Sequence, residues 1–213
     1  MTSETSPEIF RLPLPRYYRI EVYYTRIGHP TTNDGRTLRH MRERQAVMRL
    51  LRHACGPDTE LHHTPEGAPY VSEYGVYSVS VSHSRELAAI ALSREPGIIV
   101  GVDVEEWRDQ LPRVAPRVLD AAELEHYGKS DAGLIAAWTL KEALFKASLR
   151  PGTDFRDNIH LPLDFTPVEN RQGEMKIPHA RAKVDGCGEC EVFYCNVLPE
   201  SRYTWMSLVV RRR

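Results

Sequence analysis

The most apolar run of the chain, Ile98-Ile99-Val100-Gly101-Val102-Asp103-Val104-Glu105, ends in two acids. Its length and β-branched content predict a buried strand, with Val100, Val102 and Val104 on one side and Gly101, Asp103 and Glu105 on the other. Two period-two segments precede it: residues 76–82, where Val79 and Val81 alternate with Ser78, Ser80 and Ser82, and residues 87–93. Glu95-Pro96-Gly97-Ile98 fits a type II turn, so the three strands predict an antiparallel meander. Residues 18–25, 159–168, 190–198 and 203–210 are also rich in strand formers and read as strands.

Helical spacing governs three other stretches. Over residues 34–54, Leu38, Met41, Met48, Leu51 and Cys55 form an apolar stripe that Gly56-Pro57 ends. Arg36, His40 and Arg44 share one edge of that helix, with Arg39, Arg42, Arg49 and Arg52 nearby, a basic face that is either solvated or tilted towards an anion. Residues 117–127 predict a short helix, and residues 131–149 a longer one capped by Asp131 and stopped by Pro151-Gly152. In the longer helix Trp138, Glu142 and Lys146 share one face, while Leu140, Leu144 and Ala147 occupy another. Each half of the chain runs through strand, helix and a returning antiparallel pair, with residues 190–210 echoing 76–93. This outline predicts an α+β chain of two similar α/β lobes, residues 1–107 and 108–213.

Composition narrows the class without choosing a function. At 41% hydrophobic and 27% charged, the 213 residues are those of an ordinary globular protein. Lys+Arg 28 against Asp+Glu 29 leaves no global field for nucleic acid, and no recognition motif for it is present. Neither a signal-peptide core nor a membrane-length run of ~18 apolar residues occurs; the expected location is the cytoplasm. Cys55, Cys187, Cys190 and Cys195 are too few for a disulfide framework and read as reduced thiols, with Cys187-Gly188-Glu189-Cys190 a glycine turn between strands.

The chemistry begins with the acids. Asp103 and Glu105 on one strand face place like charges within about 7 Å. They need a cation, an arginine or open solvent. Ser82-His83-Ser84 ends a neighbouring strand, and Glu142 and Lys146 form either a surface ion pair or part of the same site.

Taken together and in order, these elements resemble the surfactin-type, two-lobed 4'-phosphopantetheinyl transferases. The residues that carry the resemblance are Gly101-Val102-Asp103-Val104-Glu105, Ser82-His83, and the Trp138-x-x-Lys141-Glu142-Ala143-x-x-Lys146 helix, followed by Leu161-Pro162-Leu163-Asp164. The resemblance implies lobes related by a pseudo-twofold. It also implies transfer of the phosphopantetheine arm of coenzyme A (CoA) to a serine of an acyl, aryl or peptidyl carrier protein, with release of adenosine 3',5'-bisphosphate. Asp103, Glu105 and Glu142 are then ligands for Mg²⁺. Glu142, directly or through a bound water, is the base, and Lys146 stabilises the leaving phosphate. Ser82, His83, Asp103, Lys146, Gly67 and Pro69 are the implied CoA contacts, joined for the 3'-phosphate by members of the Arg36, His40, Arg44 set. Ala68 stands where the family commonly has lysine. Gly101 is expected to keep the ligand face uncrowded. A monomer suffices, with no nucleic acid or membrane partner. The alternative, a non-catalytic module that binds CoA or carrier protein, would be signalled by a lost carboxylate, and none is lost.

Overall fold

The computed structural model describes residues 7–14, 19–28, 35–164, 177–198 and 204–213. Strands β1 (Ile9–Arg11) and β2 (Ile20–Arg26) lead into helix α1 (Arg36–Cys55) and a short ladder of β3 (His62–His63) with β4 (Pro69–Tyr70). Strands β5 (Ser78–His83), β6 (Leu87–Ser93) and β7 (Ile98–Glu106) follow. Then come helices α2 (Leu111–Val118), α3 (Ala121–Tyr127) and α4 (Asp131–Ser148), and strands β8 (Ile159–His160), β9 (His179–Val184), β10 (Gly188–Asn196) and β11 (Thr204–Arg212). The fold is α+β with antiparallel sheets.

Alternation in the central strands sorts these elements into layers. In β6, Leu87, Ala89 and Ala91 face the second sheet, while Ala88, Ile90 and Leu92 face α1. In β7, Val100, Val102 and Val104 point back at the first sheet and Ile99 towards α4. The result is α1, then the sheet β1-β2-β6-β5, then the sheet β7-β11-β10-β9-β8, then α4 with α2 and α3. Both sheets contain the order first, last, middle strand around one long helix: β2-β6-β5 around α1, and β7-β11-β10 around α4.

The predicted meander is therefore only half right. Strands β5 and β6 pair, but β7 forms its backbone ladder with β11, from Ile98 opposite Arg212 to Glu106 opposite Thr204. It thereby leaves the first sheet, and a division by sheets falls in the turn before Ile98 rather than after residue 107. Its free edge meets the β5 serines instead. The amides of Val100, Val102 and Val104 donate to the hydroxyls of Ser78 (3.1 Å), Ser80 (2.9 Å) and Ser82 (3.2 Å). The Val-Ser alternation puts valines on α1 and serines on the second sheet.

Other departures have local causes. Helix α1 buries Ala46, Val47, Leu50 and Leu51, whereas Leu38 (42%) and Met41 (52%) are exposed. The helix predicted at 117–127 is two, α2 and α3, broken at Leu119-Asp120, where Asp120 and Glu123 form a reciprocal capping box. Ser130, not Asp131, caps α4 through the Gly133 amide. Strands β1 and β9 have short or charged sequences that period-two counting missed. The 159–168 strand narrows to two residues, with residues 165–168 outside the described residues, as are Tyr18, Asp34 and Tyr203. All four cysteines are free, and Cys187 sits in the glycine turn between β9 and β10.

Two contacts set the position of α4. A β-carbon on Gly101 would overlap the Ala143 carbonyl oxygen and lie 3.0 Å from Ala147 Cβ. Glycine is needed here for the close approach of the helix, and the expectation that it clears room for a ligand is corrected. Lys141, a motif residue, points away from the acids into the core. Its ammonium pairs with buried Glu123 (2.7 Å) and donates to the carbonyls of Phe155 (2.7 Å) and Ile159 (2.5 Å). Burial pulls its pKa down despite that partner.

Lys141→Met is expected to cost about 3–5 kcal/mol in urea unfolding, because Glu123 is left buried without its counter-charge. Ser80→Ala, which orphans the Val102 amide, is expected to cost about 1–3 kcal/mol by the same measurement.

Candidate active site

The end of β7, the adjoining end of β5 and the middle of α4 bring the predicted residues together. Asp103 is the hub and is buried. Its Oδ1 accepts from Ser82 Oγ (2.8 Å) and from Lys146 Nζ (2.8 Å), and Lys146 also donates to the Val102 carbonyl (3.1 Å). Ser82 is thus placed against the carboxylate while accepting the Val104 amide. Asp103 Oδ2 is buried and has no hydrogen-bond partner among the described residues.

Glu105, two residues along the same face, pairs with Arg108 at 2.5 Å. Burial, and after it the charge of Asp103, pushes its pKa up to about 7, against the pull of Arg108 and a hydrogen bond from Trp138. Glu142 is raised by burial and then by Asp103, with Lys146 and Arg108 opposing. Three half-buried or buried carboxylates therefore share too little positive charge. Among the described residues no three His, Cys, Asp or Glu side chains close on one point as metal ligands; Lys146 and Arg108 occupy oxygens of Asp103 and Glu105 instead. The donor set nevertheless fits a hard dication, being all oxygen, crowded and left with one orphaned buried atom.

Two hollows adjoin this cluster. One, about 280 Å³, is lined by Gly67, Ala68, Pro69, Phe145, Lys146 and Arg150. Gly67 and Pro69 thus share a cavity with Lys146, and Ala68 supplies no cation there; the Arg150 guanidinium donates to the Asp185 carbonyl (3.2 Å). The other, about 610 Å³, is a groove lined by Arg39, Arg85 and Arg108 and by three acids, Glu43, Glu106 and Asp109, with His40 and His83. Arg36 and Arg44 are exposed and lie outside that lining, so the helix edge facing the groove is Arg39, His40 and Glu43 rather than 36, 40 and 44. The sequence pattern assigns no role to Glu43, Arg108 or the structural serines; the repeated Ser-x-Ser-x-Ser is the one visible signal.

Residues 99–188 match the model of the 4'-phosphopantetheinyl transferase superfamily. That span starts in β7, takes in all of α4 and ends at the β9–β10 turn, so it contains Asp103, Glu105, Glu142 and Lys146 but not Ser82, His83 or α1. It covers less than half of the chain. The match supports phosphopantetheine transfer, with CoA and a carrier protein as partners, as a general class of activity. No curated protein matches this chain. No helix among the described residues is long and apolar enough to cross a membrane.

The raised Glu105 pKa gives a signed prediction. The folded state holds this proton more tightly than the unfolded chain, so stability is full below about pH 4.5 and is lost as pH rises through about 7. In EDTA, Glu105→Gln should raise Tm by a few degrees at pH 8 and leave it unchanged at pH 4.5, read by thermal denaturation.

Proposed function

We propose that the protein is a surfactin-type transferase that moves the 4'-phosphopantetheine arm of CoA onto a carrier-protein serine and releases adenosine 3',5'-bisphosphate. The observation that supports this best is the convergence of Asp103, Glu105, Glu142 and Lys146 within the span that matches the superfamily. In this reading the carrier serine oxygen forms a bond to the β-phosphorus of CoA. The bond from that phosphorus to the oxygen bridging the α-phosphate breaks, and its electron pair leaves with the bisphosphate. The hydroxyl proton passes to Glu142, whose raised pKa makes it a stronger base than a solvated glutamate. Lys146 faces the charge that develops on the leaving group.

Mg²⁺ held by Asp103, Glu105 and Glu142 would neutralise the pyrophosphate. His83, with His40 from α1, takes the 3'-phosphate side, its neighbour Ser82 being held by Asp103, while Gly67 and Pro69 border the adenine. The first lobe, residues 1–107, then grips CoA; the second, 108–213 and related to it by a pseudo-twofold, contributes α4. Strand β7 carries the first lobe into the second sheet. One chain holds the whole site, so a cytoplasmic monomer is the proposed working form.

Incubation with a panel of apo acyl, aryl and peptidyl carrier proteins, CoA and Mg²⁺ should add one phosphopantetheine by intact mass. Glu142→Gln and Lys146→Ala should each lower kcat by about 10²–10⁴ without loss of fold, and EDTA should stop the reaction. No adduct on any carrier would refute the enzyme.

A further inference from the structure

Three acids, Glu43, Glu106 and Asp109, line the groove beside Arg39, Arg85 and Arg108, and Glu43 is the one that draws bases from two elements. The Glu43 side chain is 7% exposed, while those of Arg39, His40 and His83 around it are 52%, 59% and 44% exposed. Arg39 Nε lies 3.3 Å from Glu43 Oε1; His40 Nδ1 and His83 Nδ1 lie 3.0 Å and 3.7 Å from Oε2. One buried carboxylate thus gathers three bases from two elements, α1 and β5. A buried carboxylate is costly unless paired, and here the partners turn their other ends outwards. The His40 Nδ1 hydrogen bond leaves its Nε2 for another partner, the arrangement by which a carboxylate fixes a histidine's orientation and tautomer, while His83 at 3.7 Å lies beyond hydrogen-bond distance and within reach of the charge alone.

We propose that Glu43 is a positioning residue, which aims Arg39, His40 and His83 into the groove as a clamp for a phosphate monoester. This rests on the CoA reading, in which that monoester is the 3'-phosphate. Coulomb's law alone argues the other way: an acid under an anion site repels the anion, and its removal should tighten binding. The clamp predicts weakening, so the sign of one substitution separates the two. Burial lowers the His83 pKa, and Glu43 is the group that opposes this, against Lys146, His40 and Arg39. Without Glu43 the imidazole is poorer in protons as well as free to turn.

The test is calorimetric titration of the full chain with CoA and with 3'-dephospho-CoA. The unaltered protein is expected to prefer CoA. Glu43→Gln should lose about tenfold in CoA affinity, with dephospho-CoA affinity unchanged. In turnover it should raise KM for CoA and spare kcat. Glu43→Asp, which keeps the charge but draws it back, should lose less. In a His40→Ala, His83→Ala background the Glu43→Gln effect should shrink to threefold or less. An unaltered protein that binds neither ligand overturns both the CoA reading and this role. An unaltered protein that prefers CoA, beside a Glu43→Gln variant with equal or tighter CoA binding, overturns the positioning role alone. Should Glu43→Gln not fold, Glu43→Asp decides: undiminished preference for CoA over the dephospho form overturns the role.

Discussion

Three serine hydroxyls hold the two sheets edge to face. Among the described residues strand β7 has its backbone ladder with β11, which leaves the buried amides of Val100, Val102 and Val104 to be satisfied elsewhere. Ser78, Ser80 and Ser82 do this from β5, at the spacing that a strand's own pleat dictates. The last of the three also binds Asp103. The same hydroxyl that closes the core therefore fixes the hub carboxylate, and Asp103 inherits the rigidity of the sheet contact.

Charge is arranged in two opposed clusters across this junction. On the α4 side, acids outnumber the Lys146 and Arg108 that face them, which is why burial and mutual repulsion lift Glu105 and Glu142. On the α1 side, Arg39, His40 and His83 gather on Glu43, in a groove that Glu106 and Asp109 also line. A net charge of -1 for the chain conceals both. A molecule that carries a phosphate monoester at one end and a pyrophosphate needing a cation at the other has the complementary pattern, and CoA is such a molecule.

Much of this was legible from residue patterns. Alternation found β5, β6 and β7, and helical spacing found α4 with Glu142 and Lys146 on a common face. Partner choice was not legible: nothing in residues 98–106 says that their ladder belongs to β11, about a hundred residues on, rather than to adjacent β6. Hydroxyls suit water and buried amides equally, so alternation alone does not say which of the two the serines meet. In α1 the apolar stripe runs through Leu38 and Met41, which the fold leaves exposed, while the buried face is Ala46, Val47, Leu50 and Leu51. Lys141 belonged to the recognised motif, yet its partner Glu123 lies in a capping box whose Asp-x-x-Glu spacing was present and went unread. The motif thus mixes residues that face the site with one that anchors the helix.

Gly101 touches none of the charged groups, but the residues it meets, Ala143 and Ala147, each follow one of them in sequence: Glu142 and Lys146. The distance between strand and helix is thereby a single dimension shared by both side chains. They can be displaced from Asp103 together, by a change in the spacer, but not independently by it. The smallest side chain in the strand works as a gauge block for a base and a cation one helical turn apart.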